Sequence, residues 1–108
     1  MSRKVIILNV AKPDFREIKT YVKSQFGEAA WNDVYEEFKT TINNIGLHPE
    51  AGKEIEELKE LGQGSFEARL VRQAKVIYEY DEKEVLVHMF IHTKRDFRTH
   101  LMKRLFNL

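Results

Sequence analysis

The run Phe66-Glu67-Ala68-Arg69-Leu70, then Lys75-Val76-Ile77-Tyr78-Glu79-Tyr80, then Val85-Leu86-Val87-His88-Met89-Phe90-Ile91 places apolar side chains at every second position through three successive stretches. A period of two is the signature of a strand that buries one face. Phe66, Ala68 and Leu70 are expected inward with Glu67 and Arg69 outward, and Val76, Tyr78 and Tyr80 form the second inward set. In the third strand Val85, Val87, Met89 and Ile91 share one face, and Leu86, His88 and Phe90 share the other. The joins are short and Asp81-Glu82-Lys83 has hairpin length, so the three strands form an antiparallel meander.

Upstream the period changes to 3.6. Pro13 suits a helix's first turn, Asp14 and Glu17 place negative charge at its positive end, and Phe15, Ile18, Val22 and Phe26 recur at helical spacing. The first helix is therefore expected over residues 13–26, ended by Gly27 in a conformation open to glycine. Ala30, Trp31, Val34, Tyr35, Phe38, Ile42 and Ile45 extend the pattern into a second helix, closed by Gly46 and antiparallel to the first. Trp31, Tyr35 and Phe38 read as core. Before the hairpin, Val5-Ile6-Ile7-Leu8-Asn9-Val10 has the β-branched content of a strand, expected over residues 3–10 and buried on both sides for part of its length.

Between hairpin and meander, Leu47-His48-Pro49-Glu50-Ala51-Gly52 is turn-rich, and proline blocks continuation of the helix. Residues 53–61 suit a short surface helix, broken by Gly62-Gln63-Gly64. Beyond the meander, Phe97, Leu101 and Leu105 lie at steps of four between basic residues, which predicts an amphipathic C-terminal helix. The order strand, helix, helix, three strands, helix segregates helices from strands. It defines an α+β two-layer domain with the helical hairpin on one face of the sheet and the other face open. On that open face Glu67, Arg69, Lys75, His88 and His92 are expected to be available to a partner.

At 108 residues the chain has room for one domain, taken as residues 1–108, and 43% hydrophobic residues suffice for a core. A net charge of +1 excludes a uniformly basic surface. The balance is nonetheless local, since residues 94–108 carry a net +4 and residues 50–60 a net −3. A basic stripe of this kind suits phosphates or an acidic protein surface. The absence of cysteine excludes disulfides, thiolate metal sites and cysteine nucleophiles. The apolar run Val5-Ile6-Ile7-Leu8 is too short for a secretory segment or a membrane span, so a cytoplasmic protein without membrane contact is expected.

His88, His92 and His100 titrate near neutrality and are candidates for proton transfer. Their spacing puts His88 and His92 on one strand face, about 13 Å apart at the usual rise, too far to share an ion. No metal and no cofactor are expected. No P-loop, nucleophile elbow or dinucleotide fingerprint is present, and Gly62-Gln63-Gly64 is too short to cradle phosphate.

Four stretches carry a resemblance: Ile18-x-x-Tyr21 leading to Phe26-Gly27; His48-Pro49-Glu50-x-Gly52; Lys75-Val76-Ile77-Tyr78; and Ile91-His92-x-Lys94-Arg95-Asp96. In this order the chain resembles the ParE/RelE superfamily of bacterial toxins from type II toxin-antitoxin systems over nearly its whole length. The resemblance implies a RelE/ParE-like fold and either of two targets: ParE-like toxins poison DNA gyrase, and RelE-like toxins cut messenger RNA in the ribosomal A site without metal. The long hairpin, the Pro-Glu-x-Gly turn and the His-x-x-Arg-Asp ending are similar to the ParE branch. The strand 66–70 and the basic ending Lys103-Arg104-Leu105 look like the catalytic region of RelE.

On the nuclease reading, Arg69, Lys75 and Arg95 are the cations for a phosphorane-like transition state, and His92 and His100 move protons. This sequence departs from that pattern, with Glu67 where the nucleases carry a lysine and Leu101 where they carry a tyrosine. An acidic group there repels a scissile phosphate, which favours ParE. The resemblance also implies an antitoxin whose tail folds along the toxin in a hetero-oligomer. Lys94, Arg95, Arg98, Leu101, Arg104 and Leu105 are the expected contacts for target or antitoxin, the apolar ones packing either on this chain's own sheet or in a groove for that tail. A member that binds antitoxin and harms nothing is a third reading, for which Glu67 is the hint.

Overall fold

The structure, a computed structural model, describes residues 2–60 and 66–106. The Gly62-Gln63-Gly64 break lies outside the described residues.

A short strand β1 (Lys4–Ile7) leads through a 3-10 turn into α1 (Lys12–Phe26) and α2 (Glu28–Leu47). A second 3-10 turn (Pro49–Ala51), the two-residue strand β2 (Lys53–Glu54) and the short α3 (Glu56–Glu60) follow. The meander is β3 (Phe66–Val71), β4 (Ala74–Tyr80) and β5 (Glu84–His92), and α4 (Phe97–Phe106) completes the described chain. The sheet order is β1-β5-β4-β3-β2, antiparallel except that β1 runs parallel to β5, with Val5 opposite Val85.

The hairpin forms for the reasons the sequence suggests, with one exception. Pro13 sits in the first turn of α1, and Gly27, at φ 91°, makes the sharp join between the helices that a residue with a Cβ resists. Gly46, however, does not end α2, which runs on through Leu47 to His48. Its bare backbone serves close approach: a Cβ there would lie 3.1 Å from both the Arg3 carbonyl oxygen and Val5 Cγ2, and the Arg3 N–H donates to the Gly46 carbonyl at 2.8 Å. The N-terminal strand is correspondingly shorter than expected, because residues 9–11 turn toward α1.

The hairpin covers one face of the sheet. Phe15 of α1 is the hub, its ring 5.5 Å from Trp31, 5.2 Å from Phe38 and 5.1 Å from Phe90, all edge-on. Each such pair adds roughly 1 kcal/mol beyond burial. Val71, Val76, Tyr78, Val85 and Val87 complete this layer.

The opposite face is not open. Ile55 and Leu58 around α3, with Phe97 and Leu101 of α4, pack over Phe66, Ile77, Met89 and Ile91 as a second core. Asp96 caps α4 by accepting from the Thr99 hydroxyl at 2.5 Å and the Thr99 N–H at 3.3 Å, bonds that lower its carboxyl pKa.

Strand phase explains the other departures. The β4–β5 register passes from Ile77↔Met89 to Tyr78↔Val87, leaving His88 as the extra residue of a bulge. Past it the faces exchange, so Phe90 joins Val85 and Val87 under the hairpin while Met89 and Ile91 face the second core. His88 and His92 therefore do not share a face: His88 lies 5.0 Å from the Phe66 ring and His92 6.4 Å from Tyr21 of α1. His88 is buried and holds Glu79 at 2.8 Å, so it is not an exposed partner residue. In β3 two expectations reverse, because Glu67 is 6% exposed and Leu70 is 65% exposed.

Candidate functional site

His92, Arg95 and His100 come together where β5 turns into α4. The Arg95 N–H donates to the His92 carbonyl at 3.0 Å and the Lys94 N–H donates to His92 Nδ1 at 3.1 Å, which fixes the imidazole on the backbone. The Arg95 guanidinium lies 3.5 Å from His100 Nε2 and 3.5 Å from Glu17 of α1. Glu17 and Tyr21, one helical turn apart, thus close the site from the hairpin side. A surface guanidinium beside the His100 imidazole, shared with the Glu17 carboxylate, can turn toward an anion.

Arg69 is elsewhere. Its guanidinium donates to the His48 carbonyl, on the hairpin face of β3. There it belongs to a polar cluster that clamps the turn at residues 48–52. The Tyr78 hydroxyl, fully buried, donates to the Pro49 carbonyl at 2.6 Å, and the Tyr80 hydroxyl donates to Glu67 Oε2 at 3.0 Å. Burial pushes the Tyr78 hydroxyl up to about 12, so it stays a neutral donor at physiological pH. Lys75 is separated again, on the far sheet face, its ammonium 4.3 Å from the Phe97 ring centre. Of the five residues expected to act together, three converge and two do not.

Burial also pushes the Glu67 carboxyl above its ordinary value, and the Tyr80 hydroxyl bond pulls it part of the way back. A carboxyl raised on folding makes the native state hold the proton where the unfolded chain has released it. Stability then falls as pH rises from the ordinary carboxyl value through the raised one. Glu67→Gln is expected to abolish this slope, which urea unfolding at a series of pH values measures; an unchanged slope refutes the assignment to Glu67.

The contact residues divide similarly. Lys94, Arg95 and Arg98 are exposed around the site, whereas Leu101 is 1% exposed and Leu105 packs against the second core. These leucines pack on the chain's own sheet, so Leu101 offers no contact surface while α4 is docked. Arg104 binds Asp14 of α1 through two contacts at 2.8 and 3.2 Å and donates to the His88 carbonyl at 2.7 Å. Asp14 in turn accepts the Phe90 N–H at 3.3 Å. This pair satisfies backbone groups that the bulge frees from the ladder. The sequence marked Asp14 only as a helix-start acid, and Glu17 and Tyr21 carried only the signal of a shared helix face.

Among the described residues no three His, Asp or Glu side chains are grouped to hold a metal, and no helix is long and apolar enough to cross a membrane. The hairpin on a mainly antiparallel sheet, with the C-terminal helix docked on its other face, defines a small α+β domain. The family model described as ParE toxin of type II toxin-antitoxin system, parDE, matches residues 5–97, and the chain belongs to that family within the ParE/RelE superfamily. No curated protein matches the chain.

Proposed function

We propose that this toxin inhibits growth by binding DNA gyrase, with no reaction of its own, and that a cognate antitoxin neutralises it in a cytoplasmic hetero-oligomer. The observation that carries the reading is that Arg69 and Lys75 are engaged away from the His92–Arg95–His100 turn: Arg69 is committed to the His48 carbonyl and Lys75 stands over the Phe97 ring. Transition-state stabilisation requires cations free to meet one phosphate, and the Arg69 guanidinium is held on a backbone carbonyl instead. Glu67, interior and bonded to Tyr80, supplies no cation in their place. Arg95, with Lys94 and Arg98, then acts through contacts.

Pulse labelling of DNA and protein synthesis after induction without antitoxin tests this directly. DNA synthesis is expected to stop first, and the double variant His92→Ala/His100→Ala to inhibit growth as the parent does, while Arg95→Ala weakens inhibition. Arrest of protein synthesis first overturns the proposal.

The convergence of His92, Arg95 and His100 favours a second reading, a ribosome-dependent ribonuclease acting on messenger RNA. Cleavage on translating ribosomes that disappears in the double histidine variant establishes it.

A further inference from the structure

Two arginines reach α1 from the C-terminal segment, and they are held differently. Arg104 is locked, partly buried with Asp14 and bonded to that carboxylate at 2.8 and 3.2 Å. Arg95 is half-exposed, and its two terminal nitrogens have separate partners, one 3.5 Å from Glu17 Oε1 and the other 3.5 Å from His100 Nε2. Charge-assisted N–H···O bonds settle at about 2.7–2.9 Å, so Arg95 lies within ion-pair reach of Glu17 but short of a full bond. The Glu17 side chain is 72% exposed. An exposed pair at that separation is weak and exchanges for a better partner.

The backbones that carry this pair are nonetheless fixed. On one side of Glu17, Asp14 accepts the Phe90 N–H at 3.3 Å and the Phe15 ring lies 5.1 Å from the Phe90 ring; on the other, Tyr21 meets the His92 ring. The turn that bears Arg95 is closed by the Arg95 N–H on the His92 carbonyl and by the Asp96 cap of α4. Glu17 is thus brought to Arg95 by anchors in which neither side chain takes part. Its carboxylate acts on an incoming anion in two ways: it occupies one guanidinium nitrogen, and it repels a like charge brought to the other. An oxyanion that accepts from both terminal nitrogens at once displaces it, and a single weak acceptor does not.

We propose that Glu17 is a specificity-determining residue whose carboxylate competes with an oxyanion of the target for the Arg95 guanidinium. The toxin then engages surfaces that present a group able to take both terminal nitrogens, and it rejects scattered single acids. His100 gives up its nitrogen in the same exchange, because a carboxylate is a stronger acceptor of a guanidinium N–H than a neutral imidazole. The inference rests on the reading of Arg95 as a contact with gyrase, where the oxyanion is a protein carboxylate.

The test is a double-mutant cycle on the full chain: the parent, Glu17→Gln, Arg95→Ala and the two together. Each chain is measured for binding to purified DNA gyrase at low and high salt, and for the toxin level, read by immunoblot, that halves growth without antitoxin. Glu17→Gln removes the charge and keeps the shape; it is expected to tighten gyrase binding about threefold and to lower the toxin level that halves growth by a similar factor. The gain is expected to shrink as salt rises, which a packing role would not produce. In the Arg95→Ala background the same substitution is expected to change nothing. In the free chain the Arg95 side-chain N–H signal in NMR is expected to move in Glu17→Gln and to stay in place in Glu28→Gln. No gain, an equal gain without Arg95, or an unmoved Arg95 signal overturns the proposal. A gain in growth inhibition that requires Arg95, with gyrase bound by none of the four chains, refutes gyrase as the target and upholds the competition by Glu17.

Discussion

Arg104→Ala is expected to lower the free energy of unfolding by about 3 kcal/mol, the lower part of the range for breaking a buried ion pair because the site is partly open. The side chains of Arg104 and Asp14 are 26% and 17% exposed. Removing the guanidinium strands the Asp14 carboxylate against the Phe90 N–H and leaves the His88 carbonyl without its donor. Because the pair joins α4 to α1 across the β5 bulge, the loss is concentrated in the docking of α4. Amide exchange is expected to quicken in α4 more than in α1, while urea unfolding followed through Trp31 reports the global change. Arg104→Lys is expected to recover only part, since an ammonium does not reproduce two parallel contacts to a carboxylate while also reaching a carbonyl. Stability within about 0.5 kcal/mol of the parent refutes the role, since that is the size of a surface substitution with no structural partner.

The same bulge marks where the sequence stops being legible. The meander strands, the hairpin and the C-terminal helix are written in local periodicity and form where periods of 2 and 3.6 place them, whereas β1 is shorter than expected and β2 occupies the start of the stretch expected as a short helix. Phase is not local information. One added residue at His88 moved Phe90 from one face of β5 to the other, and no residue type there announces it. Glu67 and Leu70 reversed for a related reason. Burial in β3 depends on what crosses it: Gly52 of the 48–52 turn lies against Glu67, while the β2 pairing ends at Ala68, short of Leu70. The candidate site was legible in part, because His92, Arg95 and His100 lie close in sequence at a strand-to-helix turn. The separation of Arg69 from Lys75 follows from alternation on adjacent strands, Arg69 facing Val76 in register, one position away from Lys75. Glu17 and Asp14 enter only through the packing of α1 on β5.

Gly52→Ala is expected to cost about 2 to 3 kcal/mol by overpacking. The backbone there, at φ −78° and ψ 179°, is extended and open to any residue, so the penalty is steric. An added Cβ would collide with the Tyr78 hydroxyl and stand 2.9 Å from Glu67 Oε1 and 3.1 Å from Glu67 Cβ. Neither neighbour yields cheaply, because the Tyr78 ring is fully buried with its hydroxyl tied to the Pro49 carbonyl, and Glu67 is held by Tyr80. This explains the glycine in His48-Pro49-Glu50-Ala51-Gly52: the turn is held against the sheet by the Tyr78 hydroxyl and the Arg69 guanidinium, which donate to its Pro49 and His48 carbonyls. Tyr78→Phe alone is expected to cost about 1 to 2 kcal/mol, for a buried carbonyl left without a donor. That substitution also removes the atom Gly52→Ala meets first. The double variant is therefore expected to be less destabilised than the two losses added together, and urea unfolding of the four proteins measures the coupling. Simple additivity means that the added methyl meets some other obstacle and that the contact between Tyr78 and the turn does not determine the glycine.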